Sequence, residues 1–312
     1  MGDKTYMKER LRELKKNPWI LWIWNERRRI KGNIEYKKIS DEQFVKRFYY
    51  NAVGETLDLS NPTTFNQKLN YLKLNYKNPI ATKCADKYEV RDYLKSKGYE
   101  YLLNDLIDVY EDVSEIDISK LPNKFALKGT HGSGWNLIVK DKNKVNWMAW
   151  KLIMKSWLKQ NFYYYGREWV YKDIKPRIVC EKFLEDKSGK LLDYKIFCFN
   201  GKPKLIQVDM DRFEDHCRNI YDLEWNLTDL QWGTNRNIDK VINKPKNLNR
   251  MIEISKEISK DFLHVRVDFY EVDGKLYFGE LTFFHDSGTG KITPIEYENI
   301  MGEWLDLKGM NS

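Results

Sequence analysis

Between Phe125 and Asn136 the chain reads FALKGTHGSGWN, which places Gly129, Gly132 and Gly134 close together with His131 and Ser133 among them. They follow directly on an apolar run carrying Lys128. Bare glycine amides let a backbone approach an anion closely, and a lysine at the strand end adds a point charge, so the stretch suits a phosphate-binding lid. An ordinary turn is the competing reading. The stretch is not a P-loop, which needs G-x-x-x-x-G-K-[ST] leading into a helix. Further on, Asp193 and Lys195 stand two apart on an extended run and share one face. Arg266, Asp268 and Glu280 lie on two runs joined by Asp273 and Gly274, a hairpin signal that lets the two carboxylates converge across the strands. Converging carboxylates beside a polyphosphate suit Mg²⁺, which prefers hard oxygen ligands; as a bare cross-strand pair they would repel.

The elements that position these residues read as alternating strands and helices from Pro79 onward. CADKYEVRDYLKSKG predicts a helix starting near Asp86 and stopping at Gly98, which puts Lys87 at a helix start. Two strands flank the glycine loop. RIVCEKFL predicts a strand running into Glu181, Lys182 and Phe183, a hinge whose main chain can meet an adenine edge. Asn200 and Gly201 mark another hairpin.

The 312 residues exceed the usual single-domain size and support a substantial core. A hydrophobic fraction of 42% with 32% charged residues excludes a disordered chain and a multi-span membrane protein. The net charge of +8 permits an anionic partner without naming one. Cys84, Cys180, Cys198 and Cys217 are too scattered for a zinc knuckle or disulfide framework, and reduced thiols are expected. The first residues are charged where a signal peptide would be apolar, so a cytoplasmic location is expected. The run Trp19 to Trp24 is far shorter than the roughly 20 residues of a spanning helix. With Arg27, Arg28 and Arg29 it has the composition of an interfacial anchor on anionic lipid, or else of a helix packed on the main domain.

Taken together, these segments resemble the ATP-grasp superfamily, and in the superfamily's order. Asp86 and Lys87 look like its first nucleotide lysine pair, Lys128 before GTHGSG like the second lysine and flap, CEKFLED like the adenine hinge, and VDFYEVDGKLYFGELT like the closing metal hairpin. The likeness covers roughly residues 79 to 300. FNQKLNYLKL, ADKYEVRDYL, LKGTHGSGWN and FGELTFFHDSG are similar to the TupA-like ATP-grasp group, found among genes for bacterial teichuronopeptide, capsule and O-antigen synthesis, and extend the likeness to about Asn61. One departure is Thr282, which stands where the superfamily usually has Asn.

The resemblance implies an α+β ATP-grasp fold, two lobes clasping ATP behind a helical N-terminal segment: residues 1–60 helical, basic and Trp-rich, 61–183 the N-terminal and lid part, 184–306 the C-terminal lobe. It implies a ligase in which a carboxylate takes the γ-phosphate of ATP and an amine then displaces phosphate, with one or two Mg²⁺ ions, or Mn²⁺, as cofactor. Lys87, Lys128, Gly129, His131, Gly132, Ser133, Gly134, Glu181, Lys182, Phe183 and Asp193 are the expected nucleotide-site residues. Asp268, Glu280 and Thr282 are expected on the metal, and Arg266, Arg212 and Lys195 on the reacting groups. The partners would be ATP, an anionic sugar or glycan intermediate and an amine donor, with no nucleic acid, and peripheral contact with the inner face of the membrane. His285 follows the metal strand and is a candidate for substrate, while His216 and His264 read as structural. Trp135, Tyr163, Tyr164, Tyr165 and Trp232 stack on sugar rings or fill the core and surface.

Other classes compete. Asp209, Met210 and Asp211 spell D-x-D, which holds Mn²⁺ and a sugar diphosphate in many glycosyltransferases. A kinase on the same fold would phosphorylate a glycan hydroxyl. A membrane-associated scaffold would use the basic N-terminus alone.

Overall fold

The computed structural model describes residues 14, 16–187, 191–210, 217–233, 236–237, 239 and 242–308. Helix α1 (Pro18–Ile34) begins on Asn17, whose side chain accepts from the Trp19 amide, with proline in the first turn. Helix α2 (Asp41–Val53) starts at Ser40 and ends on Gly54 with φ +88. Helix α3 (Phe65–Asn75) opens with a capping box between Thr64 and Gln67.

The helix predicted from Asp86 to Gly98 is present but begins later, at Val90. Helix α4 (Pro79–Ala85) ends at Asp86, and α5 (Val90–Ser96) begins after a turn. The buried Asp86 carboxylate explains the break: it accepts from the Tyr88 amide (2.8 Å) and from Arg177 (3.1 Å), so the backbone bends around it. Lys87 therefore projects from a turn between helices. Gly98 ends this segment in the left-handed region, as expected.

Strands β1 (Leu106–Tyr110), β2 (Phe125–Gly129), β3 (Asn136–Val139) and β4 (Ile178–Lys182) form an antiparallel sheet in the order β1-β4-β2-β3. Helix α6 (Trp147–Leu158) covers it, and Phe125, Leu127, Val139, Ile153, Met154 and Trp157 make the core of this lobe. The short helix α7 (Tyr163–Gly166) follows. Helix α1 lies along α6, and Trp22 packs into that core.

The second sheet contains β5 (Asp193–Phe199), β6 (Lys202–Met210), β7 (Cys217–Tyr221), β9 (His264–Val272) and β10 (Lys275–Thr282), in the antiparallel order β10-β9-β5-β6-β7. A two-stranded ribbon pairs β8 (Gln231–Trp232) with β11 (Ile292–Thr293). Both expected hairpins are present, with Asn200–Gly201 and Asp273–Gly274 at positive φ. Alternation splits the sheet's faces. Ile196, Cys198, Val267 and Phe269 turn toward helix α8 (Leu248–Ser259), where the Cys198 thiol meets the Ser255 carbonyl. Asp193, Lys195, Arg266 and Asp268 point the other way. Helix α9 (Glu296–Trp304) packs on α3, and all four cysteines are buried, none of them in a disulfide.

Candidate functional site

Across the five strands the inner face carries an alternating row of charges. Arg218 on β7 donates to Asp209 on β6 (2.8 Å), and Lys195 on β5 lies between Asp209 (3.9 Å), Asp193 and Asp268 (3.2 Å). Arg266 on β9 forks onto both oxygens of Asp268 (2.7 and 2.6 Å) and reaches Glu280 on β10 (3.3 Å). Its other nitrogen meets His285 Nδ1 (2.6 Å), so that atom is an acceptor and the ring is neutral; burial first, then Arg266, holds its pKa well below the usual range. Lysines and arginines this deeply placed persist only because each meets a carboxylate.

Asp268 and Glu280 do come together, as the hairpin predicts, but Arg266 joins them. A bulge at Gly279 and Glu280 absorbs their unequal distances from the turn. A Cβ on Gly279 would stand 3.2 Å from both the Asp268 Cβ and its carbonyl oxygen, so a side chain here would have to push Asp268 back by a few tenths of an ångström. The Thr282 hydroxyl sits 3.4 Å from Glu280.

Lys87 ties this row to the glycine loop, donating to the Gly132 carbonyl (2.8 Å) while lying 3.6 Å from Glu280. Burial alone would raise the Glu280 carboxyl. Lys87, then Arg266, Lys195 and Lys128, hold it down at about 2, against an ordinary 4.5. A carboxyl lowered in the fold stabilises it above pH 4.5 and loses that contribution as pH falls toward 2. Replacing Lys87 with Ala should move the Glu280 titration upward in carboxyl ¹³C NMR. An unmoved midpoint would show that Lys87 does not act on it.

Lys128 pairs with Glu181 (2.7 Å), which also lies 3.9 Å from Arg91. The predicted hinge is only partly available: the Lys182 amide donates to the Asp105 carbonyl (3.0 Å) and its own carbonyl accepts from Asn104 (2.8 Å). The main chain leaves the sheet at Phe183, whose ring lies under Lys124 (5.8 Å).

In the glycine loop, Gly129 and Gly132 are buried and only Ser133 and Gly134 are exposed at the tip, where Gly134 has φ +75. A Cβ on Gly132 would stand 2.8 Å from Trp135 and Phe162, so this glycine serves close packing more than flexibility. Gly132→Ala should cost about 1–3 kcal/mol in chemical denaturation. An unchanged midpoint would mean that the loop does not rest on these rings. His131, expected as a phosphate donor, is corrected: it is buried under the loop, its Nε2 bonds the Trp157 carbonyl (2.9 Å), and burial lowers its pKa to about 4.

Arg212, Asp211 and His216 lie outside the described residues. Asp209 is buried against Arg218 and Gln207, so the D-x-D reading begins from a carboxylate already neutralised. His264 is buried among Phe65, Phe197 and Phe199, in keeping with a structural role. Trp135, Tyr163 and Trp232 are core residues. Sequence reasoning missed Arg177 on Asp86, Arg218 on Asp209, and the buried Lys73, whose amine donates to Ser287 (2.6 Å to the carbonyl) beside Glu168. A buried basic residue has no periodic signature. Only its partner, distant in the chain, reveals it.

The residues suit a divalent cation. Among the described residues no three His, Cys, Asp or Glu side chains form a metal-holding group. Mg²⁺ needs none, since one or two carboxylates suffice when phosphate and water complete its shell. Glu280 is ionised and partly open, and Asp268 keeps about one of its roughly four acceptor positions after Arg266 and Lys195.

The sequence profile of the family described as TupA-like ATPgrasp matches residues 67–306. The chain belongs to the TupA-like ATP-grasp family. Its two antiparallel sheets with helices are the ATP-grasp fold, and members of that family bind ATP and Mg²⁺. Similar solved structures include D-alanine--D-alanine ligase from Bacillus anthracis, 20% identical with a TM-score of 0.45 over 77% of this chain and 75% of that one. The Helicobacter pylori D-alanine–D-alanine ligase is 13% identical, with a TM-score of 0.42 over 77% and 69%. Phosphoribosylamine--glycine ligase from Thermotoga maritima is 15% identical, with a TM-score of 0.40 over 67% and 49%. No curated protein sequence matches significantly.

Proposed function

We propose that this chain is an ATP-dependent carboxylate–amine ligase of bacterial surface-polysaccharide synthesis, amidating a uronic-acid or amino-acid carboxylate through an acylphosphate. The observation that carries the reading is the meeting of Lys87, which also holds the glycine loop through the Gly132 carbonyl, and Arg266 on the Glu280 carboxylate (3.6 and 3.3 Å), at the seam between loop and sheet. Within the expected division at residues 183 and 184, the lid part would supply Lys87, Lys128, Gly129, Gly132, Ser133 and Gly134 to the phosphates, and Glu181, Lys182 and Phe183 to the base. Asp193 would position Lys195. Asp268, Glu280 and Thr282 would hold Mg²⁺, which when bound neutralises charge on the phosphate oxygens.

The acceptor carboxylate oxygen bonds to the γ-phosphorus as the bond to ADP breaks. The amine nitrogen then bonds to the acyl carbon as phosphate leaves, and gives its proton to solvent. Arg266 stabilises charge on the transferred group, and Arg212 clamps the carboxylate. The test supplies ATP, Mg²⁺, glucuronate and an amino-acid panel, with sugar nucleotides in a parallel arm, and traps acylphosphate with hydroxylamine. ADP, orthophosphate and hydroxamate are expected, with Lys128→Ala slower by roughly 10²–10³. ADP with a phosphorylated sugar would establish a kinase. Untouched ATP with consumption of a sugar nucleotide would establish a glycosyltransferase.

A peripheral membrane location is part of this reading. No helix among the described residues is long and apolar enough to cross a membrane. Helix α1 nevertheless exposes Trp19, Ile20, Ile23, Trp24, Ile30 and Ile34, with Arg27 and Lys31 on the same side. Of the three expected arginines only Arg27 is free for lipid: Arg28 stacks on Tyr165 (3.9 Å) and Arg29 pairs with Glu26 (2.7 Å). Tryptophan with basic residues matches an anionic interface. Cosedimentation with vesicles containing phosphatidylglycerol, but not with pure phosphatidylcholine, is expected, and Ile23→Glu should abolish it. Equal binding by that variant would place the contact elsewhere.

A further inference from the structure

Soon after β10 the chain turns through a loop with a strained backbone. Asp286 (φ 45, ψ 29) and Ser287 (φ 54, ψ 31) stand one after the other in the left-handed region. Such conformations are costly for residues that carry a Cβ and last only where the surroundings impose them. Helix α3 imposes them here. Asn66, Asn70 and Lys73 share one of its faces, are at most 3% exposed, and donate to the carbonyls of Gly290 (2.8 Å), Gly288 (2.7 Å) and Ser287 (2.6 Å). The Ser287 hydroxyl donates in turn to the buried Glu168 (2.8 Å). A buried polar stripe that includes a lysine is thus given over to holding this loop.

The loop presents the Asp286 carboxylate. Its side chain is 42% exposed, and among the described residues its one ionisable partner is His285, with Nε2 3.4 Å from Oδ2. That ring is neutral, since its Nδ1 accepts from Arg266 (2.6 Å). Asp193, Asp209, Asp268 and Glu280 each meet a lysine or an arginine, whereas Asp286 meets neither. Its place is also close to the expected chemistry. The His285 ring stands against Phe197 (5.0 Å), on the face of β5 that bears Lys195, and separates Asp286 from Arg266 by the width of one imidazole. On the other side, a Cβ on Gly233 would stand 3.9 Å from both Asp286 Oδ2 and Arg218 Nη1. Asp286 is therefore an open, unmatched negative charge at the paired row, one ring away from the guanidinium assigned to the transferred phosphoryl group.

We propose that Asp286 is the docking group of the amine donor, which it takes as a primary ammonium ion. The inference rests on the ligase reading and gives it a second substrate site. A carboxylate without a resident cation attracts an ammonium through charge-assisted hydrogen bonds, and the held backbone fixes its position. The docked ammonium sheds one proton to water on the open side of the carboxylate. The nitrogen lone pair then bonds to the acyl carbon, phosphate leaves with the electrons of the broken C–O bond, and a second nitrogen proton goes to solvent as the amide forms.

The test compares wild type with Asp286→Asn, which keeps the volume and tolerates the left-handed backbone but carries no charge. Each receives ATP, Mg²⁺ and a carboxylate, either glucuronate or an amino acid, followed by hydroxylamine or by a panel of ammonium chloride and amino acids. Hydroxylamine is uncharged near neutral pH and reports acylphosphate without calling on an ammonium site. Hydroxamate should form equally in both proteins, while kcat/KM for the amine falls roughly tenfold to a hundredfold in the variant. A variant that loses hydroxamate and amide together marks the loop as structural, and one that loses neither shows that the amine is held elsewhere; either overturns the inference. Wild type that gives hydroxamate but no amide from any amine of the panel overturns it too and leaves acylphosphate formation standing. Wild type that gives no hydroxamate sinks the ligase reading itself, and the inference with it.

Discussion

Arg266→Met should destabilise the protein by about 3–5 kcal/mol, the cost of leaving buried carboxylates without their partner. The residue is 7% exposed, and its side chain holds Asp268, Glu280 and His285 at once. Methionine fills much of its volume, so the loss is electrostatic more than steric. Arg266→Lys should recover only part of it, since an ammonium cannot fork onto both oxygens of Asp268 while reaching Glu280. Urea unfolding of the three proteins measures this. A lysine variant as stable as wild type would show that the planar fork is unimportant.

Lys195→Met should cost a similar amount, about 3–5 kcal/mol near neutral pH, and its deficit should depend on pH in a definite direction. Lys195 is 3% exposed and faces three carboxylates, Asp193, Asp209 and Asp268. Burial pushes the Asp268 carboxyl above its ordinary 3.8, while Arg266 and Lys195 pull it back. Without Lys195 it rises further, so the variant's folded state takes up a proton before its unfolded state does. Its deficit against wild type should therefore shrink as pH falls from neutral toward 4. Unfolding at pH 7.5 and pH 5 checks this. A deficit that is constant or larger at pH 5 would mean that Lys195 does not neutralise these acids.

Much of this arrangement is legible in the residues. Asn200–Gly201 and Asp273–Gly274 announce their hairpins because few other pairs accept two consecutive positive φ values. Strict alternation then places Asp193, Lys195, Arg266 and Asp268 on one face. What alternation cannot show is pairing between distant residues. The boundary at Asp86 is legible as a helix start, but the turn that delays the helix to Val90 is built on Arg177, far along the chain. The glycine loop is legible as a loop, yet the demand at Gly132 comes from Trp135 and Phe162, which meet only once the lobe is folded. The hold on residues 36–39 is hidden for the same reason: the Arg167 guanidinium reaches back to the Tyr36 and Ile39 carbonyls near the start of the chain.

The charge row has a further consequence for what can enter the cleft. Lys87, Lys195, Arg218 and Arg266 are matched one for one by Asp193, Asp209, Asp268 and Glu280, and Lys128 by Glu181. Among the described residues the row is balanced in charge, so these paired cations are no reservoir of positive potential waiting for an anion. A bare triphosphate would have to compete with resident carboxylates for every lysine, whereas one arriving with its countercharge already bound needs only an exchange of partners. Such a surface discriminates by the net charge of its guest, favouring the metal complex of a nucleotide over the free anion and turning away orthophosphate and other simple polyanions that the same cations, unpaired, would retain.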